Sequence, residues 1–358
     1  VVLTNYHFTT TLAHINEVGG RVIELVKDEA LILRSDNPFK GNFDIDRLVE
    51  TIEKEGAENV AFIRMEASTN LIGGQPFSIR NMMDVRQVAD KYGIMLVLDA
   101  SLLGENAYLV KQREEEWKEN TMADIIKMMT GLADLVYFSA RKLTSSRGGG
   151  ICTNRQDYYK KMEPLIPLFE GFLTYGGMSI REIEAMAVGI YETIDETMIS
   201  QSVNFIKYCV ESAVKAGIPM VTPPGVLGAH VDAGSFCDHI PQHEYPAGAL
   251  TAAFYLCSGI RGMERGTMSS VRDENGKEIL ADVELMRLAF PRRVFTLSQT
   301  KYVVDRLAWL YENRHLIGGL KFSYEPSVLR FFMGELVPTS DWPSKIVHKF
   351  RQDFGDSL

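Results

Sequence analysis

The sequence has few cysteines and no long apolar run. Its four cysteines, Cys152, Cys209, Cys237 and Cys257, form no CxxC pair. Their spacing argues against a zinc cage or a disulfide framework and favours reduced thiols. No apolar run approaches the ~20 residues that span a bilayer, and no signal peptide is visible. We therefore expect a cytoplasmic protein with no membrane partner.

Excess positive charge is also missing. The chain has 38 Lys and Arg against 47 Asp and Glu, a net charge of −9. Because phosphate binding needs clustered positive charge, nucleic acid is not an expected partner. The 358 residues, 46% of them hydrophobic, are enough for a large core and for two or three domains.

The first half of the chain alternates strand-like runs with helical patterns. Strands are expected over 21–26, 60–63, 94–98 and 135–138, and helices over 44–54, 82–92 and 121–132. Thr121 is a plausible N-cap for the last of these helices. Such alternation with continuous apolar strands predicts an α/β fold whose mostly parallel sheet is covered on both faces.

The second half has a different pattern. Residues 179–215 are helix-rich without a clear break, which predicts one long helix that links domains. After it, mixed strands and helices predict a smaller α+β domain. We therefore expect a large domain over 1–196, a small domain over 197–336 and a polar tail over 337–358 that contains a short helix near 346–350.

Two side chains with complementary chemistry follow neighbouring predicted strands. Asp99 ends one strand, and Lys142 comes shortly after Leu135–Phe138. Ligands of parallel sheets gather beyond the carboxyl ends of the strands. A lysine and an acid there suit pyridoxal 5′-phosphate (PLP), because the lysine forms a Schiff base and the acid keeps the pyridine nitrogen protonated. Taken alone the pair is a weak signal, because both residue types are common on loops.

The sequence around Asp99 and Lys142 is a much more specific signal than the pair itself. In order along the chain, from about Asn5 to about Phe332, it resembles the PLP-dependent β-eliminating lyases, the family of tyrosine phenol-lyase and tryptophanase. The stretches that carry the resemblance are Phe8-Thr9-Thr10-Thr11, Phe39-Lys40-Gly41-Asn42-Phe43-Asp44, Asn70-Leu71-Ile72-Gly73-Gly74-Gln75-Pro76, Glu105-Asn106-Ala107-Tyr108, Ser139-Ala140-Arg141-Lys142, Glu170-Gly171-Phe172, Tyr175-Gly176-Gly177, Met263-Glu264-Arg265-Gly266, Pro291-Arg292-Arg293 and Tyr324-Glu325-Pro326.

The resemblance implies a fold of the aspartate aminotransferase type (fold type I) and a PLP site. Lys142 would be the Schiff-base lysine and then the base for the α-proton. Asp99 would contact the pyridine nitrogen, and Phe8 would stack on the ring. Asn70 would contact the ring hydroxyl, and Ser139 the phosphate.

The resemblance also implies substrate-binding residues. Arg292 would grip the substrate carboxylate with a bidentate fork, and Thr9 would lie beside the ring. Met263 and Arg265 would shape the leaving-group pocket, Arg265 with a catalytic role. Phe331 stands where tyrosine phenol-lyase has Phe and tryptophanase has His. The expected reaction is cleavage of an aromatic amino acid, tyrosine first, to phenol, pyruvate and ammonia.

Several positions depart from the family pattern. Leu102 stands where the family has an arginine near the ring hydroxyl, and leucine cannot replace that cation. The family's Gly-Gly-His stretch is replaced near Gly225-Val226-Leu227. Arg141 replaces a second lysine. Arg147 stands where tyrosine phenol-lyase has an asparagine whose backbone carbonyl helps to bind a potassium ion, and the charge of the arginine disfavours that ion; no other metal is expected.

The family carries a further segment ahead of the match to Asn5, including the loop that clasps the cofactor phosphate and a tyrosine that acts across the dimer. We therefore interpret the chain as a fragment of a homo-oligomeric enzyme. Two alternatives stay open: a non-catalytic fragment or diverged pseudo-enzyme, and a PLP enzyme with another amino-acid substrate, such as tryptophan or S-alkyl cysteine.

Overall fold

The computed structural model describes residues 1–270, 272–273, 275–326 and 330–355. Two compact units divide the chain. The first contains residues 1–30 and 37–203, and the second contains residues 31–36 and 204–358. Each unit is described by itself below.

A six-stranded sheet with the order β2-β1-β3-β4-β5-β6 forms the centre of the first unit. The first five strands of that order are parallel, and β6 is antiparallel to β5. This confirms the predicted mostly parallel sheet. The strands are β1 Val2–Thr4, β2 Val22–Glu24, β3 Phe62–Glu66, β4 Leu96–Asp99, β5 Leu135–Ser139 and β6 Gly149–Thr153.

Burial follows the position of each strand in the sheet. β1 and β4 are buried along their whole length, as expected for strands that are covered on both faces. Residues of β5 are only half-buried, so the expected cover is incomplete there.

Local sequence signals explain where the helices of the first unit begin and end. Asp44 caps α2, Ser78 caps α3, and Thr121 forms a capping box with Asp124 at the start of α5. Gly93 ends α3 in the left-handed conformation, with φ +67°. The helices are α1 Thr9–Glu17, α2 Ile45–Glu55, α3 Ile79–Tyr92, α4 Leu103–Arg113, α5 Met122–Gly131, α6 Ala140–Leu143, α7 Gln156–Met162, α8 Leu165–Phe169 and α9 Ile180–Thr193.

The prediction of one unbroken helix over 179–215 is wrong. The structure has two helices, α9 and α10 Glu196–Lys215, and the unit boundary falls within α10. Asp195 causes the break, because its carboxylate accepts hydrogen bonds from the backbone N–H groups of Thr197 and Met198. An acid that caps the first turn of a new helix starts that helix. Apolar periodicity on both sides of Asp195 hid this signal.

The second unit is built on a three-stranded antiparallel sheet with the order β7-β9-β8 and a separate hairpin of β10 and β11. This agrees with the predicted α+β character. Its strands are β7 Gly228–Asp232, β8 Met263–Arg265, β9 Leu285–Ala289, β10 Leu320–Tyr324 and β11 Glu335–Pro338. Its further helices are α11 Ala233–Phe236, α12 Pro246–Ser258, α13 Leu297–Glu312, α14 Arg330–Met333 and α15 Trp342–Phe354.

Residues 337–355 are more ordered than the expected polar tail. The predicted short helix is α15, which has 13 residues. Its apolar side chains Trp342, Ile346 and Phe350 are buried in the same hydrophobic core as α12 and α13. The polar face of this amphipathic helix dominates its composition and hid the buried stripe. Among the described helices, none combines the length and apolar character that a membrane span requires.

Candidate active site

The carboxyl ends of β3, β4 and β5 bring polar side chains to one edge of the first unit's sheet. Glu66 at the end of β3 is the register partner of Asp99 at the end of β4, and Asp99 is the partner of Tyr137 in β5. Lys142 lies in the short helix α6 that follows β5. The two residues that the sequence singled out therefore follow adjacent strands.

Lys142 lies against the aromatic ring of Phe8. Its Nζ atom is 4.2 Å from the ring centroid, within the range of a cation–π contact. Phe8 directly precedes α1 and Thr9 is the first residue of that helix; both are half-buried. The structure thus brings together a lysine amine and an aromatic face that lie 134 positions apart in the chain (142 − 8).

Asp99 is buried and ionised. One carboxylate oxygen accepts a hydrogen bond from Arg64 Nη2 at 2.6 Å, and the other accepts one from the Ser101 backbone N–H at 3.1 Å. Burial alone would raise the pKa of Asp99, but the Arg64 charge and the Ser101 hydrogen bonds outweigh it and hold the pKa below its ordinary value.

Arg64 is the centre of this edge, although the sequence analysis did not identify it. It is 1% exposed, and its Nη2 atom is also 3.0 Å from a Glu66 carboxylate oxygen. Burial opposes its charge, but Glu66 and Asp99 outweigh burial and raise its pKa. It further donates to the Tyr137 hydroxyl at 2.7 Å, the Thr4 hydroxyl at 3.3 Å and the Tyr6 carbonyl at 3.1 Å.

Glu66 links Arg64 to Asn70. Its second carboxylate oxygen accepts a hydrogen bond from the Asn70 backbone N–H at 3.0 Å. Burial raises the pKa of Glu66, against the opposing effect of Arg64. Asn70, the expected partner of the ring hydroxyl, is itself buried in a single 3-10 turn that follows β3.

Ser139 ends β5 and precedes α6, and its own hydroxyl makes no capping hydrogen bond. Its backbone N–H donates to the Ser101 hydroxyl at 3.1 Å. Ser101 was not identified from the sequence, yet it contacts both Asp99 and Ser139. It therefore joins the acid of one strand end to the residue expected to bind phosphate at the next.

The other predicted site residues lie in the second unit. Met263 and Arg265 are the first and last residues of β8. Arg265 is 8% exposed, and its Nε atom has no hydrogen-bond partner among the described residues. Arg292 is half-buried in the turn after β9. Phe331 in α14 makes an edge-to-face contact with Phe332, with 5.0 Å between the ring centroids.

The structure gives the burial or backbone conformation of the positions that depart from the family pattern. Leu102 is 2% exposed at the position before α4 and gives no capping hydrogen bond. Leu227 has a positive φ of 68°. Arg141 and Arg147 are exposed. Within the described residues, no group of three His, Cys, Asp or Glu side chains could hold a metal ion.

The residues at this edge fit PLP chemically. The cofactor needs a lysine amine, an anion for its ring nitrogen, a flat surface for its ring and a donor for its phosphate. Lys142, the ionised Asp99, the ring of Phe8 and the hydroxyl of Ser139 are groups of these four kinds.

Comparison with known proteins decides the family. The family model described as beta-eliminating lyase matches residues 3–306. The chain belongs to the β-eliminating lyase family. Tyrosine phenol-lyase from Pasteurella multocida is 40% identical over 336 residues, which cover 93% of this chain and 73% of that protein. Tyrosine phenol-lyase from Symbiobacterium sp. is 38% identical over 338 residues, which cover 94% and 74%.

Solved structures support the fold alone. N-acetylornithine aminotransferase from Stenotrophomonas maltophilia has a TM-score of 0.53 at 14% identity, over 88% of this chain and 66% of that chain. The SepCysS–SepCysE N-terminal domain complex gives a TM-score of 0.52 at 12% identity, over 87% and 74%. The predicted fold of the aminotransferase type is confirmed, and with the family the chain is a PLP-dependent lyase that acts on an amino acid.

Proposed function

We propose that this lyase cleaves tyrosine to phenol, pyruvate and ammonia, with PLP attached to Lys142. The observation that carries the proposal is the placement of Lys142 against the ring of Phe8, in the helix that follows β5, while the adjacent strand β4 ends at Asp99. Relatives at 38–40% identity that bear the name tyrosine phenol-lyase support the choice of substrate. We extend the proposal to a homo-oligomer in the cytoplasm.

The first unit's residues would hold the cofactor and move one proton. Bound PLP supplies an electron sink for negative charge at the substrate Cα. Asp99 would hold the ring nitrogen, Phe8 the ring face, Asn70 the ring oxygen and Ser139 the phosphate. Lys142 would take the proton from the substrate Cα through its Nζ atom.

The second unit's residues would bind and orient the amino acid. Arg292 would grip its carboxylate as a bidentate fork. Arg265 has a buried Nε atom without a hydrogen-bond partner in the described part of the chain, and Met263 lies two residues away in β8. We assign these two to the leaving group together with Phe331, and Thr9 of the first unit to the substrate beside the ring.

Product analysis tests this function. The full chain is incubated with PLP and, separately, with tyrosine, tryptophan or S-methylcysteine, and pyruvate is measured together with phenol, indole or methanethiol. We expect phenol and pyruvate in equal amounts from tyrosine, and less product from the other two. Phe331→His is the matched variant, and we expect its preference to shift toward tryptophan. Faster release of indole than of phenol by the unmodified chain would overturn the proposed substrate.

A second candidate function is PLP binding without cleavage of a carbon–carbon bond. Leu102 favours it, because a buried leucine supplies no positive charge where the family has an arginine. The same assay decides between the two candidates. The second candidate would be favoured if S-methylcysteine alone gave pyruvate, or if none of the three substrates gave pyruvate.

A further inference from the structure

Arg64 binds both acids, Glu66 and Asp99, that end adjacent strands at the carboxyl edge of the first unit's sheet. Thr4 is its register partner in β1, Glu66 lies two residues along β3, and Glu66 is the partner of Asp99. Since side chains two apart in a strand share a face, these groups form one row across the sheet. We call Thr4, Arg64, Glu66, Asp99 and Tyr137 the sheet row.

Arg64 is the one basic residue of the sheet row, and Glu66 and Asp99 are its two acids. Arg64 carries one positive charge, and its Nη2 atom lies 2.6 Å from an Asp99 carboxylate oxygen and 3.0 Å from a Glu66 carboxylate oxygen. Both acids are nearly inaccessible to water, at 6% and 5% exposure. Without Arg64 the two buried acids would share a proton, because two adjacent carboxylates cannot both stay ionised.

We propose that Arg64 is a positioning residue of the cofactor site, which keeps Asp99 ionised and fixed in direction and couples it through Glu66 to the Asn70 backbone. The proposal rests on the proposed function, since it assigns Asp99 and Asn70 to PLP. Arg64 does not touch the reacting atoms in this account. It sets the state of the acid that does touch the ring nitrogen.

A charge-matched set of variants tests the proposal. With every acid counted as ionised, the formal charge of the row is −1 in the natural chain, −2 in Arg64→Gln and −1 again in Arg64→Gln/Glu66→Gln, so a proton taken up by the acid pair separates the single variant from the double variant. The measurement is the dissociation constant for PLP at about pH 6 and about pH 8, each expressed relative to the natural chain. The relative value removes the titration of the cofactor itself and of Lys142.

We expect Arg64→Gln to bind PLP about tenfold more weakly at the lower pH, with a smaller loss at the higher pH. The reason is that the shared proton leaves the acid pair as pH rises. The double variant should recover most of the affinity and lose the pH dependence, because Asp99 is then the only acid. A merely structural role for Arg64 would give no such rescue.

Two further variants keep the test decisive. Arg64→Lys preserves the charge but not the fork, so we expect a loss of about threefold with no added pH dependence, even if Arg64→Gln does not fold. Arg86 is the control, because it binds Asp134 at 2.8 Å near the opposite ends of the same strands. Arg86→Gln should leave PLP binding unchanged.

Each outcome decides one question. Equal affinity of Arg64→Gln and the natural chain at both pH values would overturn the inference, and so would a double variant no better than Arg64→Gln. A pH-dependent loss in Arg64→Lys would overturn it as well. If the natural chain takes up no PLP, the proposed function itself fails and the inference fails with it.

Discussion

Buried charges are arranged differently in the sheets of the two units. In the sheet row of the first unit, Arg64 lies between two acids and bonds to both. In the second unit, His230 of β7 is the register partner of Arg287 in β9, which is itself the partner of Met263 in β8. The nearest charge to His230 in that row is therefore of the same sign as its own protonated form.

The difference shows in the protonation states. Asp99 keeps its charge despite burial because a cation is within hydrogen-bonding distance. Burial and the charge of Arg287 lower the pKa of His230 to about 3. Burial raises the pKa of Glu264, which lies next to Met263, to about 7. Burial favours the neutral form of an ionisable group, and a nearby opposite charge favours its charged form.

The second unit's sheet also contains buried polar atoms without hydrogen-bond partners in the described part of the chain. Among the described residues, His230 Nε2 and Glu264 Oε1 are buried and make no hydrogen bond. Such atoms carry a free-energy penalty, and natural proteins accept it most often where a ligand or water supplies the partner. The two rows therefore differ in one respect: the acids of the sheet row are paired with Arg64, whereas His230 faces a like charge and has a ring nitrogen without a partner in the described part of the chain.

The largest expected effect is on stability in the sheet row. Arg64→Met leaves Asp99 and Glu66 buried without their cation, and breaking a buried ion pair by removing one partner costs about 3–5 kcal/mol. Urea unfolding of the cofactor-free chain measures this loss. Adding Glu66→Gln to Arg64→Met should recover part of it; if the double variant is less stable than the single one, the two acids do not repel each other and the described row is wrong.

Glu264→Gln should change how stability depends on pH in the second unit. With a folded pKa of about 7 against an ordinary pKa of 4.5, Glu264 holds its proton more tightly in the folded state. Its contribution is therefore present at low pH and is lost as pH rises, by about 1.4 kcal/mol per pH unit between those values. Relative to the natural chain, the variant should gain stability at this rate, as measured by urea unfolding. A pH-independent difference would contradict the neutral Glu264.

His230→Leu should have the opposite sign and, at neutral pH, the smallest effect. The folded pKa of about 3 lies below the ordinary pKa of 6.5, so His230 costs stability as pH falls through this range. In the natural chain this slope and that of Glu264 oppose each other wherever their pH ranges overlap. At neutral pH the variant should differ by only about 1 kcal/mol, for its lost hydrogen bond. Unchanged pH dependence of unfolding would mean that His230 titrates normally.

Sequence patterns predicted the groups that follow strands and missed the groups within them. Asp99 and Lys142 follow apolar runs, so the rule for parallel sheets identified them. The expected strand over 60–63 ended before Arg64 because that residue is charged, whereas the real strand continues to Glu66. Two charged residues two apart in a buried strand are a usable signal, but only the register shows that they face Asp99.

Local sequence patterns also did not predict two features that depend on long-range packing. Residues 31–36 belong with the second unit although the first unit surrounds them in sequence. Residues 342–354 form a packed helix because three spaced apolar side chains find a core. The overall composition of this segment is polar, so composition alone does not show the three buried side chains.

Covalent attachment of PLP tests the central claim most directly. The chain is incubated with PLP and reduced with borohydride, and the modified peptide is identified by mass spectrometry. We predict modification at Lys142 alone and none in Lys142→Ala. The double variant Arg141→Lys/Lys142→Ala, which offers a lysine one residue away, should also stay unmodified. Modification of another lysine in the natural chain, or its persistence in Lys142→Ala, would contradict the account.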